Sequence, residues 1–512
     1  MRRARVVVAL AVVVCGLAAT PALAAASPAT FCVGAAKQDV TPSDLTNFYN
    51  GGYGIGPVHQ AKSVIRHIYF RVIAIGDCRG HQDVIGAIDS QGYSLSYQPG
   101  SPGAGAGFRD IENDIHSQLG IPASHIILQA THDHNGPDEI GVWGGVPPAY
   151  FQFVKRQMET GITAAVKGEQ PAQLKVGTAD MTGFSGTFGS NTDDTNTGDN
   201  GDYPMDQRLR VLQAVAPGTG GVIATMVNYS THATVYGPRD AVLPDWPGST
   251  ATFLEGAEQN AQPGTTYGYP GSVAIVTVGA MGHTWPAGTP QGTDPSVDPA
   301  ASTDNGPADI YGNAVARMAK TAADHGTYLR RRIVTGTERK IRVENTNPVL
   351  LVAGAEPNNP SPLGGYKIGR SITPPWGAGD VFISTVTALR VGDIPFFSVP
   401  GEPYPSIKFS LNQDVHAPVS FVFGLAQDQL GYAEEVGDYN GAFQCSTTDE
   451  WFFTISPVFG ADVVRLQRAN ARALGFRVSG RSLPAYGPGA VPPSTNCTQQ
   501  QVSSGAGGLP VG

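Results

Sequence analysis

One arrangement recurs along most of the chain: a short apolar segment, rich in β-branched residues, ends in glycine, proline or a polar cluster. It occurs at residues 126–128, 222–227, 273–278, 394–399 and 419–423, and further strands are expected at 70–75 and 84–88. Helical periodicity covers residues 107–119, 148–166, 250–259, 308–325 and 462–474. Strands that alternate with helices predict an α/β to mixed α+β fold, in which mixed β-sheets are covered by helices.

Each of the five recurring segments is followed by side chains that can bind a metal ion or transfer a proton. These are His132 with His134, His232, His283, Glu402 and Tyr432. In sheets with helical crossovers the loops at strand C-terminal ends converge, so we expect one shared site there. Nitrogen and oxygen donors of this kind suit zinc.

The most informative element is Ala-Thr-His-Asp-His-Asn-Gly-Pro at residues 130–137, directly after an apolar run. If the backbone is extended there, residues two apart project to the same side, and His132 and His134 enter one pocket together. Imidazole is the commonest protein ligand for metal ions. The alternative is one buried, hydrogen-bonded histidine and one solvated histidine in a turn.

The other candidates also have purely structural explanations. His232 would be a hydrogen-bonded core histidine, and Glu402, in a Pro-Gly-Glu-Pro turn, an exposed carboxylate. Tyr432 would pack in the core, and His283, close to Trp285, would add a polar tip to an aromatic contact. Only their joint placement after strands favours a site.

The first 24 residues have the pattern of a secretory signal peptide. Arginines at positions 2, 3 and 5 precede an apolar run over 6–17, and Ala-Leu-Ala at 22–24 offers a cleavage site. We therefore expect a secreted bacterial protein. A C-terminal tail rich in proline, glycine and serine is expected over residues 481–512.

The cysteines and the net charge restrict the possible disulfides and the kinds of binding partner. One of the five cysteines lies in the leader, and the remaining four are Cys32, Cys78, Cys445 and Cys497. Four cysteines allow three disulfide pairings. Proximity in the sequence favours Cys32 with Cys78 and Cys445 with Cys497. The net charge is −9, without long runs of one sign. This balance argues against nucleic acid as a partner and against a strongly anionic membrane surface.

Several of these elements together resemble the neutral/alkaline (non-lysosomal) ceramidase family, specifically its zinc-bearing N-terminal domain. The shared elements are the motif at 130–137, the strand-end His232, Pro-Gly-Glu at 400–402 and Gly-Leu-Ala-x(5)-Tyr at 424–432. The opening segment 33–41 is also similar to the family's first strand. The resemblance implies a ceramidase-like zinc hydrolase domain over residues 25–480, between the signal peptide at 1–24 and the tail at 481–512.

The resemblance also implies roles for individual residues. Zn²⁺ would be bound by His132, His232, Glu402 and Tyr432, although Tyr432 could instead donate a hydrogen bond to an oxyanion. His134 would lie beside the metal and manage a proton. His283 stands where the family more usually has an acidic residue, and it is the second catalytic candidate because it follows a predicted strand. The implied reaction is hydrolysis of the amide of a ceramide-like N-acyl lipid by metal-bound water. The expected partner is a lipid-like small molecule, with transient contact to a membrane surface.

Two departures from the family pattern open alternatives. Gly279 stands where ceramidases carry a serine that acts as nucleophile, and no arginine follows Asn191 in the region of a family Asn-Arg element. Metal-bound water would then have to act alone. A zinc-dependent esterase or lactonase on the same scaffold, or a non-catalytic exported metal-binding protein, are therefore the competing hypotheses.

Overall fold

The structure is a computed structural model that describes residues 27–53, 59–182, 192–193, 205–256, 268–282, 284–286, 306–344, 381–434, 455–456 and 458–480. Its α-helices are α1 Phe108–Leu119, α2 Pro148–Lys167, α3 Trp246–Leu254, α4 Gly306–Asp324, α5 Pro405–Asp414 and α6 Phe459–Ala473. Among the described residues, no helix is both long enough and apolar enough to cross a bilayer.

The strands build two principal sheets and three short two-stranded ones. In chain order they are β1 Thr30–Asp39, β2 Ser63–Val64, β3 Tyr69–Gly76, β4 Gln82–Ile88, β5 Ile126–Ala130, β6 Gln170–Asp180, β7 Thr192–Asp193, β8 Arg208–Val215, β9 Val222–Tyr229, β10 Ala241–Val242, β11 Val273–Val278, β12 Thr284–Trp285, β13 Thr327–Tyr328, β14 Val334–Glu344, β15 Val381–Val391, β16 Ile394–Ser398, β17 Glu402–Pro403, β18 Phe421–Phe423 and β19 Tyr432–Ala433.

The larger sheet has the order β11-β9-β8-β6-β1-β3-β4-β5, with β13 beside β6. Its pairs are antiparallel except β4 with β5 and β9 with β11, which are parallel. The smaller sheet has the order β14-β15-β16-β18 and also mixes both orientations. Mixed sheets covered by helices are the predicted fold class, which is confirmed.

The two sheets and the helices form four layers. One face of the larger sheet packs on α1 to α4 through residues such as Val72 and Ile111. Its other face packs on the smaller sheet, where Ile73 and Phe396 share one core cluster. The outer face of the smaller sheet is covered by α5 and α6 through Leu411 and Val463. Both faces of each sheet are therefore buried, which agrees with the near-continuous apolar runs of the strands.

The larger sheet curls until its two edge strands approach each other. Gln129 of β5 donates from Nε2 to the carbonyl oxygen of Val278, the last residue of β11, over 2.6 Å. The same amide donates to the carbonyl oxygen of Gly424, which follows β18, also over 2.6 Å. The ends of β5 and β11, which are the two edge strands of the larger sheet, therefore meet the end of β18 from the smaller sheet.

Most predicted elements are confirmed, with one shifted helix. Helix α3 begins at Trp246 rather than at residue 250, because the Asp245 carboxylate caps it by accepting the Trp246 backbone N–H. It ends at Leu254, and Gly256 follows with φ +66°. Residues 257–259 of the predicted helix lie outside the described residues.

Of residues 186–203, the structure describes only Thr192–Asp193, which pairs antiparallel with Thr284–Trp285. The predicted disulfide between Cys32 and Cys78 is confirmed and ties β1 to the turn between β3 and β4. Cys445, Cys497, the signal peptide and the tail over 481–512 lie outside the described residues.

Candidate metal centre

The two histidines of the 130–137 motif share one pocket, but not through an extended backbone. Strand β5 ends at Ala130, and His132 has φ +59°, in the left-handed region that non-glycine residues rarely adopt. Backbone N–H groups on either side hold this conformation: Thr131 donates to Ile88 and Asp133 donates to Ser90. The prediction of strand alternation is therefore wrong, because a strained turn aims the two side chains.

The imidazoles of the motif meet at their Nε2 atoms. Nε2 of His134 lies 3.0 Å from Nε2 of His132, and the ring centroids are 4.5 Å apart. The His132 Nδ1 lies 2.9 Å from the carbonyl oxygen of Gln91. Since a carbonyl only accepts, Nδ1 carries the proton and the lone pair of Nε2 faces the pocket.

His232 follows β9 and reaches the same place with the same orientation. Its backbone N–H donates to the carbonyl oxygen of Thr284, and its Nδ1 lies 3.0 Å from that oxygen. The indole of Trp246 donates to the His232 carbonyl oxygen over 2.9 Å. One ring nitrogen is thus satisfied within the core, while Nε2 is aimed at the other histidines. Donor nitrogens of His132, His134 and His232 lie within 4.8 Å of one another.

Glu402 and Tyr432 are placed opposite each other by the parallel pairing of β17 with β19. The Glu402 Oε2 atom lies 3.3 Å from Nε2 of His132 and 3.4 Å from Nε2 of His232. The Tyr432 hydroxyl lies 3.5 Å from Nε2 of His232. Glu402 is only 4% exposed, which excludes the exposed-turn explanation of this carboxylate.

The donor set fits a metal ion. Glu402 Oε2 is buried and accepts no hydrogen bond from the described residues, whereas Oε1 accepts one from Gln429 Nε2 over 3.0 Å. A buried carboxylate oxygen without a donor is costly unless a cation neutralises it. The Nε2 atoms of His132 and His232 face this same oxygen, so the nitrogen and oxygen ligands of a four-coordinate site converge.

Electrostatics keep the cluster in the form that a cation needs. Burial alone would raise the pKa of Glu402, but His132 and His232 lower it well below its usual value. Burial lowers the pKa of His134 well below its usual value, and His132 and His232 add to this. These shifts favour an ionised Glu402 carboxylate and a neutral His134 imidazole.

Aromatic side chains surround the histidine cluster, and the sequence analysis assigned them no role. Trp285 stacks on His232 with centroids 4.6 Å apart and an interplanar angle of 11°. Tyr53 meets His134 edge-on at 5.0 Å. Gly52 has φ +103°, and a Cβ there would overlap the His134 ring.

The sequence analysis also missed Gln429, although it lies inside the 424–432 element. An amide side chain has no distinctive chemistry that would mark it as part of a site.

Two further positions from the sequence analysis are His283 and Gly279. His283 lies outside the described residues, so its catalytic role stays a prediction. At Gly279 a Cβ would overlap the hydroxyl of Ser230. That hydroxyl donates to Asp206 Oδ2 over 2.9 Å and accepts from the Ala280 backbone N–H. A side chain at position 279 would need Ser230 to move.

Comparisons with known proteins identify structures that share the fold of this chain at low sequence identity. No protein-family model matches the chain, and no curated protein matches it. Among solved structures, neutral ceramidase from Pseudomonas aeruginosa is similar with a TM-score of 0.64 at 16% identity, over 88% of this chain and 75% of that chain. A ceramidase complexed with C2 is similar with a TM-score of 0.65 at 15% identity, over 89% of this chain and 77% of that chain. The chain therefore has the fold of neutral ceramidase.

Proposed function

We propose that the protein is a secreted, zinc-dependent hydrolase that cleaves the amide bond of a ceramide-like N-acyl lipid. The observation that carries the proposal is the convergence of Nε2 of His132 and His232 on the donor-free Oε2 of Glu402. The shared fold with neutral ceramidase supports an N-acyl lipid as the substrate class. Secretion rests on the leader composition at residues 1–24.

His132, His232, Glu402 and Tyr432 would hold the zinc ion. Bound there, zinc supplies Lewis acidity: it lowers the pKa of water and polarises a carbonyl. Carbonyl oxygens of Gln91 and Thr284 fix the two histidine rings, a common support for metal-binding imidazoles.

His134 handles the proton in the proposed reaction. Its neutral imidazole has Nε2 facing the cluster, where it accepts the proton of the water that attacks the amide carbonyl. The same nitrogen then delivers the proton to the leaving amine, so the base regains its starting state. The Tyr53 and Trp285 rings restrict water at this place.

An ester or lactone is the second candidate substrate, and one observation favours it. Gly279 offers no hydroxyl, and a side chain there would overlap Ser230. Water is then the nucleophile, and alcohols leave more readily than amines, so the same residues serve acyl esters. A panel of amides and esters with one acyl chain separates the two activities.

The test is fatty-acid release from a fluorescent N-acyl-sphingosine by the mature protein, with chelator and with zinc restored. We expect activity to disappear with chelator and to return with zinc. His132→Ala should abolish both zinc binding and turnover. His325→Ala is the matched control, because His325 is an exposed histidine that directly follows α4.

The outcomes separate the hypotheses. Full activity in the metal-free protein would overturn the zinc-dependent mechanism. Zinc bound at one equivalent with no turnover of amides, esters or lactones would identify a non-catalytic metal-binding protein.

A further inference from the structure

A buried arginine, Arg239, for which no described residue supplies a counter-ion, follows the segment that accepts hydrogen bonds from His134 and Tyr53. Arg239 is 8% exposed, and its Nε and Nη1 atoms are shielded from solvent without a hydrogen-bond acceptor. Arginine is rarely buried unless it is paired, because desolvating an uncompensated charge is costly. Among the described residues, no carboxylate forms an ion pair with this guanidinium.

The acidic residues around Arg239 are engaged elsewhere. The adjacent Asp240 pairs with Lys62 over 2.6 Å and with His59 over 3.3 Å. Asp245 accepts backbone N–H groups from Val235, Tyr236 and Trp246. Neither of these two carboxylates therefore serves as the counter-ion of Arg239.

Packing holds the guanidinium in place without neutralising it. The guanidinium carbon lies 4.4 Å from the centroid of the buried Tyr236 ring, a cation–π contact. The Arg239 carbonyl oxygen accepts a hydrogen bond from Asn50 Nδ2 over 3.1 Å. Stacking on an aromatic ring fixes the plane of the donors, which prepares them for a planar or tetrahedral anion.

The same contacts place Arg239 next to the histidine cluster. Asn50, which binds its backbone, lies two residues before Gly52, and Gly52 packs against the His134 ring. Two residues of extended chain span at most about 7 Å. On the other side, His134 donates its backbone N–H to Ala233, and Tyr53 donates its hydroxyl to Thr234, in the loop that leads to Arg239.

Electrostatics agree with this proximity. Burial, with Asp245 and Asp133, raises the pKa of the Tyr53 phenol well above its usual value, and Arg239 opposes the rise. Tyr53 itself meets the His134 ring at 5.0 Å. The Tyr53 phenol therefore feels the charge of Arg239 and also contacts the His134 ring.

We propose that Arg239 binds an anionic oxygen group on the amine portion of the substrate, so that the preferred substrates are N-acyl compounds carrying a carboxylate or a phosphate. The inference rests on the proposed amide hydrolysis and narrows its substrate class. The guanidinium presents its N–H donors in a rigid fork that matches both anions. An anion so bound would fix the amide relative to His134 and supply the counter-charge that none of the described residues provides.

The experiment compares ligands that share one dodecanoyl chain and differ in charge. N-dodecanoylethanolamine is neutral; N-dodecanoylglycine, N-dodecanoyl-β-alanine and N-dodecanoyl-4-aminobutyrate carry a carboxylate at increasing distance; N-dodecanoyl phosphoethanolamine carries a phosphate. Binding to the metal-free mature protein is measured by calorimetry, and hydrolysis by the zinc-loaded protein is measured as kcat/KM. The carboxylate series and the phosphate compound distinguish the two anion sources.

We expect at least one anionic ligand to bind about tenfold or more tightly than the neutral one, and Arg239→Gln to remove that advantage. Arg239→Lys, which keeps the charge and loses the fork, should retain part of it. Arg332→Gln is the matched control, since Arg332 is exposed and carries the same charge. Circular dichroism verifies that each variant is folded.

The two proposals fail in different ways. If anionic ligands bind in an Arg239-dependent manner but no compound is hydrolysed with zinc, the proposed function is wrong and the anion site stands. If the wild-type protein binds and hydrolyses the neutral compound as well as every anionic one, the role of Arg239 is overturned and the hydrolase stands. A buried water molecule would then be the partner of the guanidinium.

Discussion

Gln429 occupies one oxygen of Glu402 and leaves the other to the histidines. Its Nε2 donates to Oε1 over 3.0 Å, while Oε2 faces His132 and His232 without a hydrogen-bond donor. The carboxylate is thereby presented to a cation through one atom.

We expect Gln429→Leu to lower zinc affinity about tenfold or more, because Glu402 becomes free to rotate and to bind through both oxygens. Competition with a chromophoric chelator measures the affinity. Gln413→Leu, at an exposed position, is the control and should change nothing. Equal affinities in the two variants would contradict a positioning role for Gln429.

Gly52 and Gly80 form a matched pair for testing how the His134 ring is held. Their φ values are +103° and +107°, so alanine strains the backbone similarly at both positions. A Cβ at Gly52 would overlap the His134 ring, whereas a Cβ at Gly80 meets nothing within 4 Å. Both variants should lose about 1–3 kcal/mol of stability. Only Gly52→Ala should also lose turnover, because it displaces His134, while zinc affinity, which depends on the four ligands, should be retained.

Chemical unfolding gives the first quantity, and chelator competition with the amide assay gives the others. Loss of activity in Gly80→Ala equal to that in Gly52→Ala would show that strain, rather than displacement of His134, is responsible.

The fold class followed from local pattern, but the arrangement that builds the centre did not. Apolar segments and helical periodicity are local, so β3, β4 and most helices could be predicted. The approach of β5 to β11 depends on the curl of a nine-stranded sheet, to which pairings distant in sequence contribute. The strand order was accordingly beyond prediction, although a shared site for His132 and His232 at the strand ends was expected.

The candidate residues could be predicted where their chemistry is distinctive. Histidine and a carboxylate after strands are conspicuous, and the structure brings His132, His134, His232 and Glu402 together. The left-handed backbone of His132 has no local signature, because glycine or asparagine usually occupies that region. Arg239 was overlooked because its significance lies in an absent partner, which only packing reveals.

Asp83 should make stability depend on pH between about 4 and 6. Burial raises the pKa of its carboxyl group from 3.8 to about 6, against the opposing effect of His125, whose Nδ1 lies 2.7 Å away. Since the folded state favours the protonated form, this contribution is complete below pH 3.8 and is lost as pH rises through about 6.

Relative to Asp83→Asn, the wild-type protein should therefore lose about 3 kcal/mol of unfolding free energy over this interval and little above it. Urea unfolding at pH 4, 5, 6 and 7 measures the difference. Asp44→Asn is a control of opposite sign, because the Thr46 backbone N–H lowers the pKa of Asp44. A constant difference between wild type and Asp83→Asn would contradict the assignment.

Tyr432 distinguishes a metal ligand from a donor to an oxyanion. Its hydroxyl lies 3.5 Å from Nε2 of His232, and the pairing of β17 with β19 places it opposite Glu402. We expect Tyr432→Phe to lower both zinc affinity and kcat, because the phenol oxygen completes the ligand set. A side chain that acts only on the oxyanion would lower kcat by roughly 100-fold and leave zinc affinity unchanged. Chelator competition and steady-state kinetics on the same variant preparation decide between the two, and His232→Ala, which removes a ligand outright, sets the scale for the loss of affinity.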